Sequence, residues 1–245
     1  MTNFHILIPS YNCQRWIERC LESVSVQTIQ PSGVLVIDDD SPEHGYSELA
    51  LQQCKNRGFS YLRNSDNLKC PFNIWMGVKV LDPDPEDVIF LLDGDDFLPH
   101  GKVLERFAEV YSDPEIWLTY GNYAPHPRNT GQVRAAAYPP EVVRSRNFRT
   151  AGNLFNRPLT FRRFLFDEIR REDLQNNNGE WFRGGYDYDI MAPMLEMAYA
   201  NYRFLDEDLY MYNAVNPISD SHVNVSLINE TDQLRTRAKK GILQR

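Results

Sequence analysis

The chain has 245 residues, with 26 lysines and arginines against 34 aspartates and glutamates, which gives a formal net charge of −8. The length suits one large domain or two small ones, and the acidic balance argues against a nucleic-acid-binding protein, which needs a basic surface. No stretch approaches the ~18 apolar residues of a membrane-spanning helix, and the short apolar N-terminus does not fit a signal peptide. The four cysteines form no CxxC pair. We therefore expect a reduced, cytoplasmic protein, either free or peripheral at a membrane.

The first half of the chain alternates short apolar runs with amphipathic runs. Apolar runs bounded by turn residues are typical of buried strands, and apolar residues spaced three or four apart are typical of helices. In chain order the pattern predicts strands at 4–9, 34–37, 60–63, 88–92 and 116–120, and helices at 14–27, 48–57, 72–81 and 102–111. This alternation indicates a parallel α/β sheet covered by helices on both faces.

The second half is less regular. Residues 124–157 contain several prolines, asparagines and arginines with little periodicity, so we interpret them as a long active-site loop or loosely structured crossing segments. Beyond them the pattern predicts helices at 161–170 and 190–199 and short strands at 202–205 and 209–212. The last twenty or so residues are polar and predict a surface helix or a tail.

Acidic residues follow two of the predicted strands. Asp38-Asp39-Asp40 comes after the second strand, and Asp93-Gly94-Asp95-Asp96 comes after the strand at 88–92. We expect these two strands to be neighbours, because open α/β sheets bind ligands outside the carboxyl ends of their strands. One acid-rich turn alone is usually a helix cap, but two at successive strand ends point to a ligand. The carboxylates suit Mg²⁺ or Mn²⁺, and a nucleoside diphosphate would use both a metal and a separate carboxylate.

The chain resembles the family 2 glycosyltransferases. The matching segments are Ile8-Pro9-Ser10-Tyr11-Asn12, Leu21-Glu22-Ser23-Val24, Val36-Ile37-Asp38-Asp39-Asp40-Ser41 and Phe90-Leu91-Leu92-Asp93-Gly94-Asp95-Asp96. They cover the first ~120 residues, and later segments at 159–163, 187–198 and 210–217 look like a bacterial and viral branch of the family. The resemblance implies the GT-A fold, with one mixed and mainly parallel sheet flanked by helices. It also implies a single domain over 1–245: a nucleotide-sugar and metal half at 1–120, an acceptor half at 121–225 and a surface segment at 226–245.

The resemblance also implies roles at the matching positions. The donor nucleotide would lie against Pro9, Ser10, Tyr11, Asn12, Asp38, Asp39, Asn73, Asp93 and Gly94, with Asp39 facing the base and Asp38 supporting it. Asp95 would be the direct metal ligand, with Asp93 beside it and Asp96 near the sugar. Asp187 stands where the family carries its catalytic base.

Several positions depart from the family pattern. Asp40 replaces a common glycine, Tyr186 replaces a glutamate, and Phe72-Asn73 stands where the family often has Arg-Asn, so a diphosphate contact is assigned to Lys69 instead. His222 lies near, but displaced from, the place of a third metal ligand.

Two further side chains are candidates by residue type. Trp181 lies in a polar stretch shortly before Asp187 and could stack on an acceptor sugar. Arg162 could reach a phosphate or an anionic acceptor, although a solvated helix face explains it equally well.

The implied chemistry is an inverting transfer of a sugar, with a UDP-sugar as the expected donor and a glycan or glycoconjugate as the acceptor. Asp187 would take the proton of the acceptor hydroxyl, and a divalent metal on Asp95 would stabilise the leaving diphosphate. Asp189 is the rival base. The oligomeric state stays open.

Other functions are weighed against this one. A nucleotidyltransferase usually has a glycine-rich loop after its first strand, and a nicotinamide enzyme has a GxGxxG motif; neither is present. A sugar-nucleotide-binding protein without catalysis stays open because of the departures above. A transferase acting on modified viral DNA bases also stays open, with a basic groove predicted from Arg134, Arg144, Arg146, Arg149 and Arg157.

Overall fold

One seven-stranded sheet organises the part of the chain described by the computed structural model, which is residues 2–42, 45–128, 133–218 and 237–245. The strands are β1 (Phe4–Ser10), β2 (Gly33–Asp38), β3 (Ser60–Arg63), β4 (Val88–Leu91), β5 (Leu118–His126), β6 (Leu159–Arg162) and β7 (Tyr202–Asn213). Their spatial order is β3-β2-β1-β4-β6-β5-β7. β6 is antiparallel to both of its neighbours, and all other strand pairs are parallel.

Helices cover both faces of this sheet. They are α1 (Ile17–Ser25), α2 (Tyr46–Arg57), α3 (Cys70–Leu81), α4 (Val103–Val110), α5 (Pro140–Ser145), α6 (Arg163–Asp167) and α7 (Tyr186–Ala198), with a 3-10 turn at Arg171–Leu174. Successive residues of a strand point to opposite faces, so Leu7 enters the core beneath α3 and α7, whereas Ile6 and Ile8 enter the core beneath α1, α2 and α4. The predicted α/β sheet with two covered faces is confirmed. None of the helices in the described ranges is both long and apolar enough to cross a membrane.

The predicted elements of the first half are present, but one spatial expectation is wrong. The strands that carry the two acidic clusters, β2 and β4, are not neighbours, because β1 lies between them and pairs with both. All three strands are apolar and buried on both faces, so their pattern does not fix their order across the sheet. The acidic clusters consequently flank the end of β1.

The second half corrects several predictions. The helix predicted at 161–170 begins inside strand β6, which pairs with β4 over four residues and with β5 over three before α6 starts. The two strands predicted at 202–205 and 209–212 are one strand, β7, with register shifts against β5. Residues 124–157 contain the end of β5 and the short helix α5. α7 begins at Tyr186, so Asp187 lies in its first turn and not before it.

The last described segment, 237–245, lies against this half of the molecule. Leu243 donates its backbone amide to the carbonyl of Met197 at the end of α7 (3.3 Å), and the Arg245 guanidinium lies 3.6 Å from the centre of the Phe164 ring. These nine residues are without regular secondary structure. The rest of the predicted surface segment, 226–236, lies outside the described residues.

Candidate functional site

The ends of β1, β2 and β4 meet at one edge of the sheet. The backbone amide of Gly94 donates to the carbonyl of Pro9 (3.1 Å), and the amide of Asp39 donates to the carbonyl of Ser10 (2.9 Å). A side-chain carbon on Gly94 would lie 2.6 Å from the Cβ of Ser10, which is too close for any other residue without movement. Glycine is therefore required here by close approach of two strand exits.

The predicted nucleoside-binding segment after β1 divides into buried and exposed parts. Pro9 and Ser10 are buried, and the hydroxyl of Ser10 hydrogen-bonds the hydroxyl of Tyr46. Asn12 has a left-handed backbone (φ 53°) and donates its amide to the hydroxyl of Ser41 (2.9 Å). Tyr11 is 38% exposed. Tyr11 thus has the most exposed side chain of this segment, and Asn12 is half-buried.

Asp38 has a supporting place and does not reach a ligand. Its side chain is fully buried, and its carboxylate accepts hydrogen bonds from the amide of Ser41 (3.0 Å) and from the hydroxyls of Ser47 (2.6 Å) and Tyr61 (2.9 Å). Its inclusion among direct donor contacts is therefore corrected: it fixes the turn from which Asp39 extends.

Asp39 organises the loop between β3 and α3. Its carboxylate accepts from the side-chain amide of Asn64 (2.8 Å) and from the backbone amides of Leu68 (2.8 Å) and Lys69 (2.9 Å). Nearly the whole residue is buried. The sequence did not identify Asn64 and Leu68 as partners, because both lie in a loop without periodicity, between 25 and 29 positions away.

Asn73 and Lys69, both predicted to contact the nucleotide donor, differ in their exposure. Asn73 is 1% exposed, and its side-chain oxygen accepts from Asn64 (2.7 Å), so it lies beneath the loop and its predicted contact with the donor is corrected. Lys69 is partly buried, and its ammonium donates to the side-chain oxygen of Asn67. Lys69 therefore remains placed at the loop that Asp39 holds.

The acidic motif after β4 is held by the second half of the chain. Asp95 accepts from the side-chain amide of Asn216 (2.7 Å), and Asp96 accepts from the backbone amide of Asn213 (2.7 Å). Burial and, after it, the charge of Asp93 raise the pKa of Asp95 from its ordinary 3.8 to about 6, against a smaller lowering by the hydrogen bond from Asn216. Burial and the charges of Asp95 and Asp93 raise the pKa of Asp96 well above the usual range. The motif thus crowds three carboxylates together at a largely buried place.

This donor set suits a divalent cation. Carboxylate oxygens are the ligands that Mg²⁺ and Mn²⁺ prefer, and a cation would stabilise the ionised carboxylates against the burial and the mutual repulsion that raise these pKa values. No group of three or more histidine, cysteine or acidic side chains in the described ranges is arranged as a complete metal site. The remaining coordination would fall to a ligand or to water. His222, the predicted third ligand, lies outside the described residues.

Arg157 joins the acidic motif to the predicted base. One arm of its guanidinium (Nη2) lies 2.6 Å from a carboxylate oxygen of Asp93, and the other (Nη1) lies 2.8 Å from one of Asp187. The Arg157 side chain is 7% exposed, whereas that of Asp187 is 37% exposed. The structure thus brings Asp93 and Asp187 to one place. Arg157 was missed as a site residue, because the sequence grouped it with other arginines and its two partners lie far away in the chain.

Asp189, the rival base, lies elsewhere. Its side chain is completely buried and lines a cavity beneath α7 together with Arg149 and Arg237. Two positions apart on a helix means about 200° of rotation, so Asp187 and Asp189 point in nearly opposite directions. A group buried there does not reach an acceptor that approaches the open edge of the sheet.

Arg162 is corrected as a candidate for the acceptor. It ends β6 opposite Val88, at the start of β4, and is therefore at the far end of the sheet from Asp93. Its guanidinium donates to the backbone carbonyls of Ile116 (2.9 Å) and Glu86 (2.9 Å) and is nearly buried. Its role is to tie chain segments together.

Trp181 belongs to an aromatic cluster. Its ring centre lies 5.3 Å from that of Phe72 and 5.9 Å from that of Trp75, both on α3, and the guanidinium of Arg171 lies 5.4 Å from its centre. The residue is partly exposed. An amphipathic face that is held rigidly in this way can stack on a sugar.

The predicted basic groove is largely neutralised. Arg149 forms a buried two-pronged ion pair with Glu196 (2.8 and 2.9 Å), Arg134 pairs with Asp206 and Asp208, and Arg157 pairs as described above. Paired arginines contribute little to phosphate binding along a nucleic acid. The geometry does not favour a DNA substrate.

Comparisons with known proteins agree on the fold. The chain is similar to S. aureus TarS in complex with UDP-GlcNAc, at 14% identity and a TM-score of 0.63, over 95% of this chain and 65% of that one. It is similar to the mannosyltransferase PcManGT from Pyrobaculum calidifontis in complex with GDP-Man and Mn²⁺, at 14% identity and a TM-score of 0.65, over 98% of this chain and 66% of that one. It is also similar to glucosyl-3-phosphoglycerate synthase from Mycobacterium tuberculosis with Mn²⁺, UDP and glucosyl-3-phosphoglycerate, at 13% identity and a TM-score of 0.60, over 99% of this chain and 81% of that one.

These similarities concern the fold, and the family follows from a separate match. The chain spans 61% of the length of the TarS structure in complex with UDP. The family described as Glycosyl transferase family 2 matches residues 5–174, which is more than half of the chain. The chain belongs to glycosyltransferase family 2 and has the GT-A fold.

Proposed function

We propose that this chain is a metal-dependent inverting glycosyltransferase that moves a sugar from a nucleoside-diphosphate donor, a UDP-sugar, to a hydroxyl of a glycan or glycoconjugate. The observation that carries the proposal is the pair of contacts from Arg157 to Asp93 and Asp187, which sets a partly exposed carboxylate beside the acidic motif. The complexes of TarS with UDP and of the M. tuberculosis enzyme with UDP support the choice of uridine, although PcManGT holds GDP-Man.

The donor nucleotide lies at the exits of β1 and β2. Tyr11 is the exposed aromatic residue there, and Asp39 with Lys69 forms the facing loop. The second oxygen of Asp39 (Oδ2) accepts a hydrogen bond from the backbone amide of Lys69, and a carboxylate oxygen can accept two. An N–H of the base can therefore be accepted without displacing the loop.

Asp95 and Asp93 would hold the divalent cation. When bound, such a cation offsets the negative charge that develops on a leaving diphosphate. Asp96 is almost completely buried, and it keeps the motif in place because its carboxylate accepts a hydrogen bond from the backbone amide of Asn213. Its earlier assignment to the sugar is therefore replaced by a structural role.

Asp187 is the general base. In the transfer, the acceptor oxygen bonds to the anomeric carbon as the bond from that carbon to the diphosphate oxygen breaks. The electron pair leaves with the diphosphate, and the acceptor proton passes to Asp187. Its place in the first turn of α7 favours the ionised carboxylate, because a helix N-terminus carries partial positive charge. A single base on one side of the sugar fits a single displacement with inversion.

The acceptor approaches from the side of Trp181. The cluster of Trp181 with Phe72 and Trp75 connects α3, which follows the donor loop, to the segment that leads into α7. An acceptor sugar stacked there would place its hydroxyls toward the first turn of α7. Loss of stacking in Trp181→Ala should raise the KM of the acceptor and leave the affinity for UDP unchanged.

The test begins with thermal unfolding in the presence of UDP, UDP-glucose, UDP-GlcNAc and GDP-mannose, each with Mn²⁺ and with EDTA. A ligand that binds only the folded chain raises Tm by mass action. Release of UDP from the best donor is then measured for the wild type, Asp187→Asn and Asp95→Ala.

Loss of a general base should lower turnover by ~10²–10⁴-fold without loss of UDP binding. Turnover that survives both EDTA and Asp95→Ala contradicts the metal role, and near-normal turnover of Asp187→Asn contradicts the base. Binding of UDP without release from any donor would instead support a sugar-nucleotide-binding protein without catalysis.

A further inference from the structure

The guanidinium of Arg157 contacts two carboxylates that the proposed mechanism uses for different purposes. Asp93 belongs to the metal motif at the end of β4, and Asp187 belongs to α7; they are 94 positions apart in the chain. We infer that Arg157 is a positioning residue, which fixes the base carboxylate of Asp187 at a set distance from the metal motif. This assignment rests on the proposed transferase function.

The geometry of arginine suits this role. A guanidinium is planar, always charged, and directs its N–H groups in a rigid fork, so two carboxylates on different arms are held at a fixed separation. The arm toward Asp93 is Nη2 (2.6 Å) and the arm toward Asp187 is Nη1 (2.8 Å). A lysine has the same charge, but its ammonium is a compact point charge with three freely rotating donors, and it cannot impose the same spacing.

Arg157 itself is held firmly. Its residue is 6% exposed, and its backbone amide donates to the side-chain oxygen of Asn156 (2.9 Å). It is followed by Pro158 and then by β6, which is inserted between β4 and β5. The guanidinium is therefore anchored to the same sheet that carries the acidic motif, whereas Asp187 is carried by a helix packed over that sheet.

Without Arg157, the carboxylates of Asp93 and Asp187 would face each other with no guanidinium between them. Like charges repel, so the carboxylate of Asp187 would turn away from Asp93 and toward solvent. The donor site would keep Asp93, Asp95 and the donor loop. The expected defect is consequently in the chemical step and not in donor binding.

The experiment compares Arg157→Lys and Arg157→Ala with Arg162→Lys as the matched control. Arg162 is equally buried (6% exposed) and lies five positions further along, but it bonds backbone carbonyls at the opposite end of the sheet. Two quantities are measured for each variant: the Kd of UDP with Mn²⁺ by calorimetry, and kcat and KM for UDP release from the best donor.

We expect Arg157→Lys to lower kcat by ~10²-fold, as a misplaced catalytic group does. The Kd of UDP with Mn²⁺ and the KM of the donor should stay within ~5-fold of the wild type. Added guanidinium chloride, at millimolar and non-denaturing concentration, should restore part of the kcat of Arg157→Ala and none of that of Asp187→Asn. Arg162→Lys should lower Tm and leave kcat unchanged.

Several results would overturn the assignment. An equal loss of UDP affinity and kcat would make Arg157 a donor-binding residue, and an unchanged kcat in Arg157→Lys would remove its role altogether.

A thermal double-mutant cycle of Arg157→Lys and Asp187→Asn tests the ion pair without measuring activity. The double variant should lose less Tm than the sum of the losses of the two single variants, and strict additivity refutes the contact. A wild type that releases no UDP from any donor refutes the transferase function and the assignment together, while the cycle still reports whether the two side chains interact.

Discussion

Asp95→Asn should make the metal-free protein more stable at neutral pH. The pKa of Asp95 rises from 3.8 to about 6 through burial and the charge of Asp93. The folded chain therefore holds a proton between about pH 4 and 6 that the unfolded chain has released, and the free energy of unfolding falls as the pH rises through this window. Above about pH 6 the folded carboxylate is ionised, and the loss in the free energy of unfolding is then complete.

The size of this cost follows from the pKa difference. One pKa unit corresponds to about 1.4 kcal/mol, so the rise to about 6 corresponds to roughly 3 kcal/mol at pH 7. Asparagine removes the charge and keeps an oxygen that can accept from Asn216. For a chain of this length about 1 kcal/mol changes Tm by roughly 2–4 °C, so Tm should rise by roughly 6–12 °C.

The assay is thermal unfolding in EDTA at pH 4 and at pH 7. The gain should be present at pH 7 and nearly absent at pH 4, where the folded wild-type carboxyl is protonated and bears no buried charge. Asp206→Asn is the matched control, because its pKa is lowered by a hydrogen bond from Arg134 and its neutralisation should give no gain. Mn²⁺ with UDP should then raise the Tm of the wild type and not that of Asp95→Asn. An Asp95→Asn variant that is no more stable than the wild type at pH 7 would refute the view that this motif is strained by its own charge.

Two further variants test the surroundings of the site. Gly94→Ala would place a carbon 2.6 Å from the Cβ of Ser10, and overpacking of this kind costs about 1–3 kcal/mol of stability, so calorimetry should show a lower Tm and weaker UDP binding. Gly241→Ala is the control, because its added carbon would have no atom within 4 Å, and it should change neither quantity. A Gly94→Ala variant with unaltered Tm and UDP binding would contradict the close approach. Asp189→Asn should lower Tm and keep turnover in the folded protein, the reverse of Asp187→Asn, and a loss of turnover at unchanged Tm would restore Asp189 as the base.

Local patterns predicted the donor half well. The strands that lead into Asp38 and Asp93 are continuous apolar runs closed by acidic turns, and both the element and its exit are encoded within about ten neighbouring residues. The order of the strands is not encoded in this way. β1, β2 and β4 are equally apolar, so nothing in their sequences shows that β1 separates the other two.

The second half resisted prediction for a different reason. β6 is a four-residue strand that exists because it pairs on both sides, and its residues run directly into α6 without a turn. Its apolar residues consequently merge with those of a helix. Arg157 could not be assigned either, since its partners Asp93 and Asp187 are 64 and 30 positions away. Local sequence identified the acidic groups, and tertiary structure identified the arginine that joins them.

The contact from the Asn213 amide to Asp96 spans 117 positions of the chain. Ribosomes add about 5–20 residues per second, so the acidic motif is made roughly 6–23 seconds before the segment that completes it. During this interval the carboxylates of the motif emerge without Arg157 for part of the time and without Asn213 for all of it. The nucleotide edge of the sheet is therefore translated early and assembled late, and a nascent chain stopped before β7 should not bind UDP.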